Sequence, residues 1–142
     1  MDGNSDGKGI QVVVNGRSWR RTAVRWLPLL TWMGLIFILS DQTKTDIPSF
    51  GVWDLLVKKG AHFLAYGVLA VLALRAVGDV KRPYAIAFII AVLYAASDEF
   101  HQTFVLGRNG QWLDVIIDSA GALTALMSHR WGILPLFPKP SP

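Results

Sequence analysis

Four apolar runs, each close to the length needed to cross a lipid bilayer, constrain this chain of 142 residues more than any other feature. They cover Ala23–Ser40, Ala61–Val77, Tyr84–Ser97 and Leu113–Met127. The first run would be about 27 Å long as an α-helix, against a hydrocarbon core of about 30 Å. The third run reaches a comparable length if its helix continues to Phe104, and the fourth if its helix continues to Trp131. Because such runs leave too little polar surface for a soluble bundle, we predict an all-α polytopic membrane protein with four transmembrane helices.

The composition agrees with a membrane protein. Hydrophobic residues make up 52% of the chain and charged residues 17%, whereas charged residues make up about a quarter of a soluble domain. Disorder is excluded for most of the chain, because disordered segments are poor in apolar residues. The chain has no cysteine, which excludes disulfide scaffolds, thiolate zinc sites, cysteine nucleophiles and iron–sulfur clusters.

Three segments follow one another along the chain. Residues 1–16 are rich in Gly, Asp, Asn and Ser, and we predict that they form a flexible N-terminal tail. Residues 17–131 form the predicted four-helix transmembrane domain, and residues 132–142 form a proline-rich C-terminal tail. We expect the first apolar run to stay in the mature protein, because Ser40–Lys44 offers no small-x-small cleavage site.

The distribution of basic residues predicts the orientation in the membrane. Four spans put both termini on one side, and ten of the 14 basic residues lie on that side: Lys8, Arg17, Arg20, Arg21, Arg25, Arg75, Lys81, Arg82, Arg130 and Lys139. The other side holds Lys44, Lys58, Lys59 and Arg108. Cytoplasmic segments carry an excess of Lys and Arg, so we predict that both termini are cytoplasmic. The net charge of +4 then reflects orientation, and we expect no nucleic-acid partner.

Ionisable residues interrupt the apolar runs at one predicted depth. If the third span begins at Tyr84, Asp98 lies about 21 Å along it, close to the outer edge. Asp118 lies about 9 Å below the same edge, counted from Trp112. Ionisable residues inside a membrane are costly, face the bundle interior and usually mark function. The residues that share this depth, or lie within a turn of it, are named the polar layer here: His62, Tyr66, Asp98, Glu99, His101, Gln102, Asp114 and Asp118.

Helical spacing divides the polar layer of the third run between two faces. Asp98, His101 and Gln102 share one face, while Glu99 points elsewhere. The tight turn that follows contains Arg108, which is the only basic residue of that loop. An arginine there can hold a phosphate with two parallel hydrogen bonds, or it can pair with a carboxylate of the polar layer.

The fourth run has a polar face of its own. Asp114 and Asp118 are four residues apart and therefore stack on one face of the helix. Gly121 lies near the same stripe, where a small residue allows a neighbouring helix to approach closely. His129, beside Arg130 near the inner end of this run, is expected at the membrane interface.

Three chemical interpretations of the polar layer remain open. A partly desolvated carboxylate near a histidine has the components of a general acid/base pair. His62, His101 and a carboxylate could instead bind a divalent metal, but the sequence has neither an HExxH motif nor a close pair of histidines. The third interpretation is a hydrogen-bonded cluster that only fixes helix packing. Packing alone does not require two histidines, an arginine and several acids at one depth, and we assign no metal or cofactor.

The chain resembles the VanZ-like membrane proteins, a family named after a factor associated with teicoplanin resistance. The resemblance rests on the stretches Leu39–Gln42, Lys59–Tyr66, Asp98–Arg108 and Asp114–Gly121. Together they span about residues 24–128, and their order and spacing are specific. One departure is Ala125, where members often have a further glycine.

The resemblance implies a cell-envelope protein of the bacterial inner membrane, similar to membrane proteins thought to act on lipid head groups. The expected partner is therefore a membrane lipid or a lipid-linked envelope intermediate at the outer leaflet. On this hypothesis the catalytic residues are His101, Asp98, Glu99, His62, Asp118 and Tyr66. The substrate-binding residues are Arg108, Gln102, Asp114 and Lys59. His101 would act as acid/base, Asp98 or Glu99 would orient it, and Arg108 would contact the phosphate.

The alternative hypothesis is a non-catalytic envelope protein. It would bind a glycopeptide antibiotic, a lipid or a protein partner and contribute to teicoplanin-type resistance. This hypothesis predicts that alanine at His62 and at His101 leaves the phenotype intact. A transporter or channel is disfavoured, because the sequence has only four short spans and no pair of broken helices.

Overall fold

The computed structural model describes residues 16–40, 52–105 and 110–138, and these residues form four α-helices. The helices are α1 (Gly16–Ser40), α2 (Val52–Val77), α3 (Pro83–Gln102) and α4 (Trp112–Trp131). The prediction of an all-α chain is confirmed, and the predicted apolar runs lie within these helices. Some boundaries differ: α1 and α2 begin several residues before their runs, α3 and α4 begin one residue before theirs, and α3 ends two residues before Phe104.

Local sequence explains several of these helix ends. Pro83 occupies the first turn of α3, where its missing N–H has no helical partner to lose. α2 is followed by Gly78 at φ 66°, and α4 by Gly132 at φ 82°. Glycine adopts this left-handed conformation without steric cost, which makes it the common residue just after a helix. Because α1 begins at Gly16, Pro28 lies inside the helix, where it removes one backbone hydrogen bond.

The helices run alternately up and down. Ser40 at the end of α1 donates a hydrogen bond to Asp98 near the end of α3. Lys59 near the start of α2 pairs with Asp114 near the start of α4. These four helix ends therefore lie together and form what we call the polar end of the bundle. The opposite end, which carries Arg25, Arg75 and Arg130, is called the basic end.

α2 is the central helix of the bundle. It packs against the other three helices and most extensively against α4, whereas α1 makes most of its contacts with α2. The face of α3 in the core is a stripe of buried alanines at every fourth position, Ala87, Ala91 and Ala95. Side chains this small let neighbouring backbones approach closely, which accounts for the tight packing around α2.

Three of the four helices are long and apolar enough to span a membrane: Thr22–Ser40, Leu56–Val77 and Pro83–Gln102. α4 is not among them, because Asp114, Asp118 and the polar residues near its end lower its hydropathy. The structure therefore supports three of the four predicted spans. The fourth span and the cytoplasmic location of both termini remain predictions.

Candidate functional site

Asp98 lies at the centre of a hydrogen-bond network that joins three helices. Its carboxylate is almost fully buried, and its Oδ2 atom accepts hydrogen bonds from Ser40 Oγ at 2.8 Å and Tyr66 OH at 3.2 Å. Gln102 Nε2 donates a third hydrogen bond to the same oxygen at 3.3 Å. The second oxygen, Oδ1, is buried and has no hydrogen bond within the described part of the chain. Asp98 thus fixes the ends of α1 and α3 against α2.

Asp118 has a very different environment. It is fully buried, and neither carboxylate oxygen has a hydrogen bond among the residues that the structure describes. An ionisable group beside it is the imidazole of His62, whose Nδ1 lies 3.7 Å from Asp118 Oδ1. This distance is within ion-pair range but longer than a hydrogen bond. The ring of His62 also stacks over that of Tyr66, with centroids 6.4 Å apart, so His62 and Tyr66 lie between the two buried aspartates.

Two further carboxylates complete the cluster. Asp114 forms an ion pair with Lys59, and both side chains are about one-third exposed. Glu99 is buried and accepts a hydrogen bond from the backbone N–H of Gln111 at 2.9 Å. Both Glu99 and Asp114, like Asp98, lie close enough to Asp118 to interact with it electrostatically. Like charges this close are tolerated only where cations or protons compensate them; Lys59 supplies a cation here, and the imidazole of His62 can take up a proton.

The remaining predicted site residues are placed as follows. His101 is partly exposed and faces α1, where its ring lies 4.5 Å from the ring of Phe37. Gln102 belongs to the Asp98 network. Glu99 leaves the face of Asp98, as its spacing predicts, but it turns toward the start of α4. Arg108 lies outside the described residues.

The structure pairs histidine and carboxylate side chains differently from the sequence-based hypothesis. Sequence reasoning gives His101 the acid/base role with Asp98 or Glu99, whereas the histidine–carboxylate pair found among the described residues is His62 with Asp118. Ser40 was not among the predicted site residues, although it donates the shortest hydrogen bond to Asp98. Its position within the matched stretch Leu39–Gln42 is the sequence signal that could have identified it.

The close approach predicted at Gly121 is confirmed. A Cβ atom built on Gly121 would collide with the backbone carbonyl oxygen of Phe63. Because His62 precedes Phe63 and Asp118 lies one turn before Gly121, this contact sets the separation of the histidine and the carboxylate. His129, expected at the membrane interface, lies at the basic end, where its side chain is buried and the hydroxyl of Tyr84 lies 3.2 Å from its Nδ1.

An apolar groove runs between α2 and α4, and one end of it lies near His62 and Asp118. Its volume is about 340 Å³, and its walls are formed by residues between Phe63 and Leu72 on α2 and between Gly121 and Ser128 on α4. Leu134 and Leu136 line its far end. The α2 wall is about 14 Å long, which is close to half of the hydrocarbon thickness of a bilayer. We call this feature the lateral groove.

The geometry does not favour a metal centre. Within residues 16–40, 52–105 and 110–138, no group of three or more His, Asp or Glu side chains has an arrangement that could hold a metal ion. The polar cluster instead combines a buried carboxylate, an imidazole and a phenol, which are groups that transfer or hold protons.

Fold and site together define a helical membrane protein with a polar cluster at one end of its bundle. The family model described as VanZ/LLP1 matches residues 16–134. The chain therefore belongs to the VanZ/LLP1 family, in agreement with the resemblance seen in its sequence. Searches among curated proteins and among solved structures gave no match.

Proposed function

We propose that this VanZ-like envelope protein acts on the head group of a phospholipid or lipid-linked envelope intermediate, at the polar end of its bundle. In this proposal α4 is a fourth span, both termini are cytoplasmic, and the polar end faces the outer leaflet of the bacterial inner membrane. The excess of basic residues at the opposite end supports this orientation.

The observation that supports the proposal most directly is that Asp118 is buried without a hydrogen bond among the described residues. Burying a carboxylate without a hydrogen bond is costly, and buried polar groups in folded proteins are nearly always satisfied. A residue kept only for helix packing would have partners, as Asp98 has. Asp118 has none among the described residues and faces His62 instead, which favours a role in proton transfer.

The lateral groove supports a lipid as the substrate. Phe63 and Gly121 line the groove. Phe63 follows His62 in the chain and Gly121 lies one turn from Asp118, so one end of the groove lies near the polar cluster. Its nearly uniform apolar lining and its length suit one acyl chain. A lipid bound there would present its phosphate to the polar cluster, where Arg108 and Lys59 are the proposed contacts.

The chemistry that fits these groups is exchange or hydrolysis at a phosphodiester. A hydroxyl group attacks the phosphorus atom, a new P–O bond forms, and the P–O bond to the departing alcohol breaks. His62 takes the proton of the attacking hydroxyl and returns it to the departing oxygen, while Asp118 stabilises the imidazolium. Tyr66 donates its only O–H to Asp98 and so fixes that carboxylate beside the site.

Head-group-labelled phospholipids incubated with the purified full-length protein test this proposal. General acid/base groups contribute about 10²–10⁴-fold to a rate, so His62→Ala and Asp118→Asn should each lower turnover at least about 100-fold. Asp79→Asn is the matched control, since Asp79 is an exposed aspartate at the basic end. His101→Ala distinguishes the two histidines: a smaller loss than for His62→Ala assigns the acid/base role to His62.

Two results would overturn the enzyme proposal. One is turnover by Asp118→Asn and His62→Ala within threefold of the wild-type rate. The other is absence of turnover by the wild-type protein with glycerophospholipids and with lipid-linked envelope intermediates alike. The non-catalytic hypothesis would then take its place, in which the Asp98 network holds the helices together and the outer surface binds a glycopeptide, a lipid or a partner.

A further inference from the structure

A second cavity lies at the basic end of the bundle, far from the polar cluster. Its volume is about 560 Å³, and it is lined by Arg20, Val24 and Arg25 of α1 and by Arg75 of α2. We call it the arginine pocket. The volume falls in the usual range for small-molecule sites, about 300–1,000 Å³.

The three guanidinium groups of the arginine pocket have no counter-ion among the described residues. None of them has a hydrogen bond or ion pair with any residue in the described ranges, and no acidic side chain lines the cavity. Positive charges that share a cavity repel one another, more strongly near an apolar environment than in water. Such an arrangement is stable when an anion binds between the charges.

The backbone helps to hold one of these arginines in place. Gly78 follows the end of α2, and a Cβ built on it would lie only 2.6 Å from Nη1 of Arg25. The guanidinium of Arg25 therefore lies against the peptide backbone at the C-terminal end of α2, a position that favours a cation. Arg25 is exposed, yet its guanidinium lies beside Gly78.

The position of the pocket indicates which kind of anion it meets. The apolar segments suited to span a membrane begin at Thr22 in α1 and end at Val77 in α2. Arg20, Arg25 and Arg75 all lie within a few residues of those limits, which is the level of lipid head groups. Basic pockets between helices at this level bind the phosphates of anionic lipids, and arginine holds phosphate through two parallel hydrogen bonds.

We propose that the arginine pocket binds the phosphate-bearing head group of an anionic membrane phospholipid. The ligand lies between α1 and α2, and its acyl chains lie along the outer surface of α1. Because α1 has few other contacts in the bundle, the bound lipid also fastens α1 to α2. The site is independent of the polar cluster and of any chemistry there.

Native mass spectrometry of the full-length protein in mild detergent tests the proposal, with separate titrations of phosphatidylglycerol, phosphatidylcholine and inorganic phosphate. Phosphatidylglycerol should bind at least tenfold more tightly than either other ligand. A basic residue near an anionic head group contributes about 1 kcal/mol, or fivefold, so Arg25→Gln with Arg75→Gln should weaken that binding about 25-fold. The matched control, Lys81→Gln with Arg82→Gln, removes the same charge from the same end outside the pocket and should change it no more than twofold.

A pair of conservative substitutions separates the effect of charge from that of side-chain geometry and controls for misfolding. Arg25→Lys with Arg75→Lys keeps the charge but loses the planar fork, and it should weaken phosphatidylglycerol binding by an intermediate factor. Equal binding of phosphatidylglycerol and phosphatidylcholine would overturn the proposal, as would equal weakening by the control pair. Inorganic phosphate that binds as tightly as phosphatidylglycerol would also overturn it, because the site would then recognise a free anion.

Discussion

The contact between Gly121 and the backbone of Phe63 is the point where a single methyl group should disturb both stability and function. In Gly121→Ala the new Cβ would collide with the carbonyl oxygen of Phe63 and approach its Cα to 3.0 Å. This obstacle is backbone, so no side chain can rotate away. α2 and α4 would have to separate where His62 faces Asp118.

Two opposing terms set the change in the free energy of unfolding. Alanine is favoured over glycine inside a helix by about 1 kcal/mol, whereas overpacking a tight contact costs about 1–3 kcal/mol. A collision with backbone lies at or above the upper end of that range. We therefore expect Gly121→Ala to lower the free energy of unfolding by about 2 kcal/mol, and to lower head-group turnover because the His62–Asp118 distance increases.

Gly34→Ala and Gly60→Ala are matched controls. Both glycines are helical, and a Cβ on either would meet no heavy atom within 4 Å. These variants should be as stable as the wild-type protein, or more stable by up to about 1 kcal/mol. Thermal unfolding in detergent, followed by tryptophan fluorescence, should give a midpoint for Gly121→Ala that is roughly 5 °C or more below both controls. Equal midpoints for Gly121→Ala and Gly34→Ala would refute the tight contact.

The same assay checks four further substitutions. Arg82→Gly should raise the free energy of unfolding by about 1 kcal/mol, because Arg82 has φ 63° and only glycine adopts that conformation without strain; a destabilised variant would contradict this. Asp118→Asn should raise stability, since a buried carboxylate without hydrogen bonds among the described residues becomes neutral. Asp98→Asn should instead lower stability by about 1–2 kcal/mol, because three charge-assisted hydrogen bonds weaken. If both aspartate variants changed the unfolding midpoint in the same direction, the environments of the two carboxylates would not differ. Trp32→Phe removes the 2.9 Å hydrogen bond from Nε1 to the carbonyl of Ala65 and should cost about 0.6–1.7 kcal/mol; an unchanged midpoint would mean that this bond does not fasten α1 to α2.

Helix ends were less predictable than the helices themselves. The apolar runs predict where helices must lie, because hydrogen-bonded backbone is obligatory in lipid. They do not show how far a helix continues into polar sequence, so the starts of α1 and α2 at Gly16 and Val52 were missed. The burial of His129 was missed for a related reason: residues 132–138 fold back, and Phe137 O lies 3.2 Å from its Nε2.

The sequence alone determined the layer at which the ionisable residues lie. Depth follows from counting residues along a helix of constant rise, so the meeting of His62, Asp98 and Asp118 at one end could be predicted without a structure. The small residue at position 121 was equally informative, since glycine in a membrane helix signals close packing.

Only the tertiary structure decided which side chains face one another. Apolar residues surround every helix that is suited to span the membrane, so the hydrophobic pattern carries little information on rotation about the helix axis. That rotation is set by packing, here by the Gly121–Phe63 contact and the alanine stripe of α3. It gives Asp98 three hydrogen-bond donors and leaves Asp118 facing His62. In the same way it brings Arg20, Arg25 and Arg75 around one cavity, since residues far apart in the chain share a pocket only once their helices are packed.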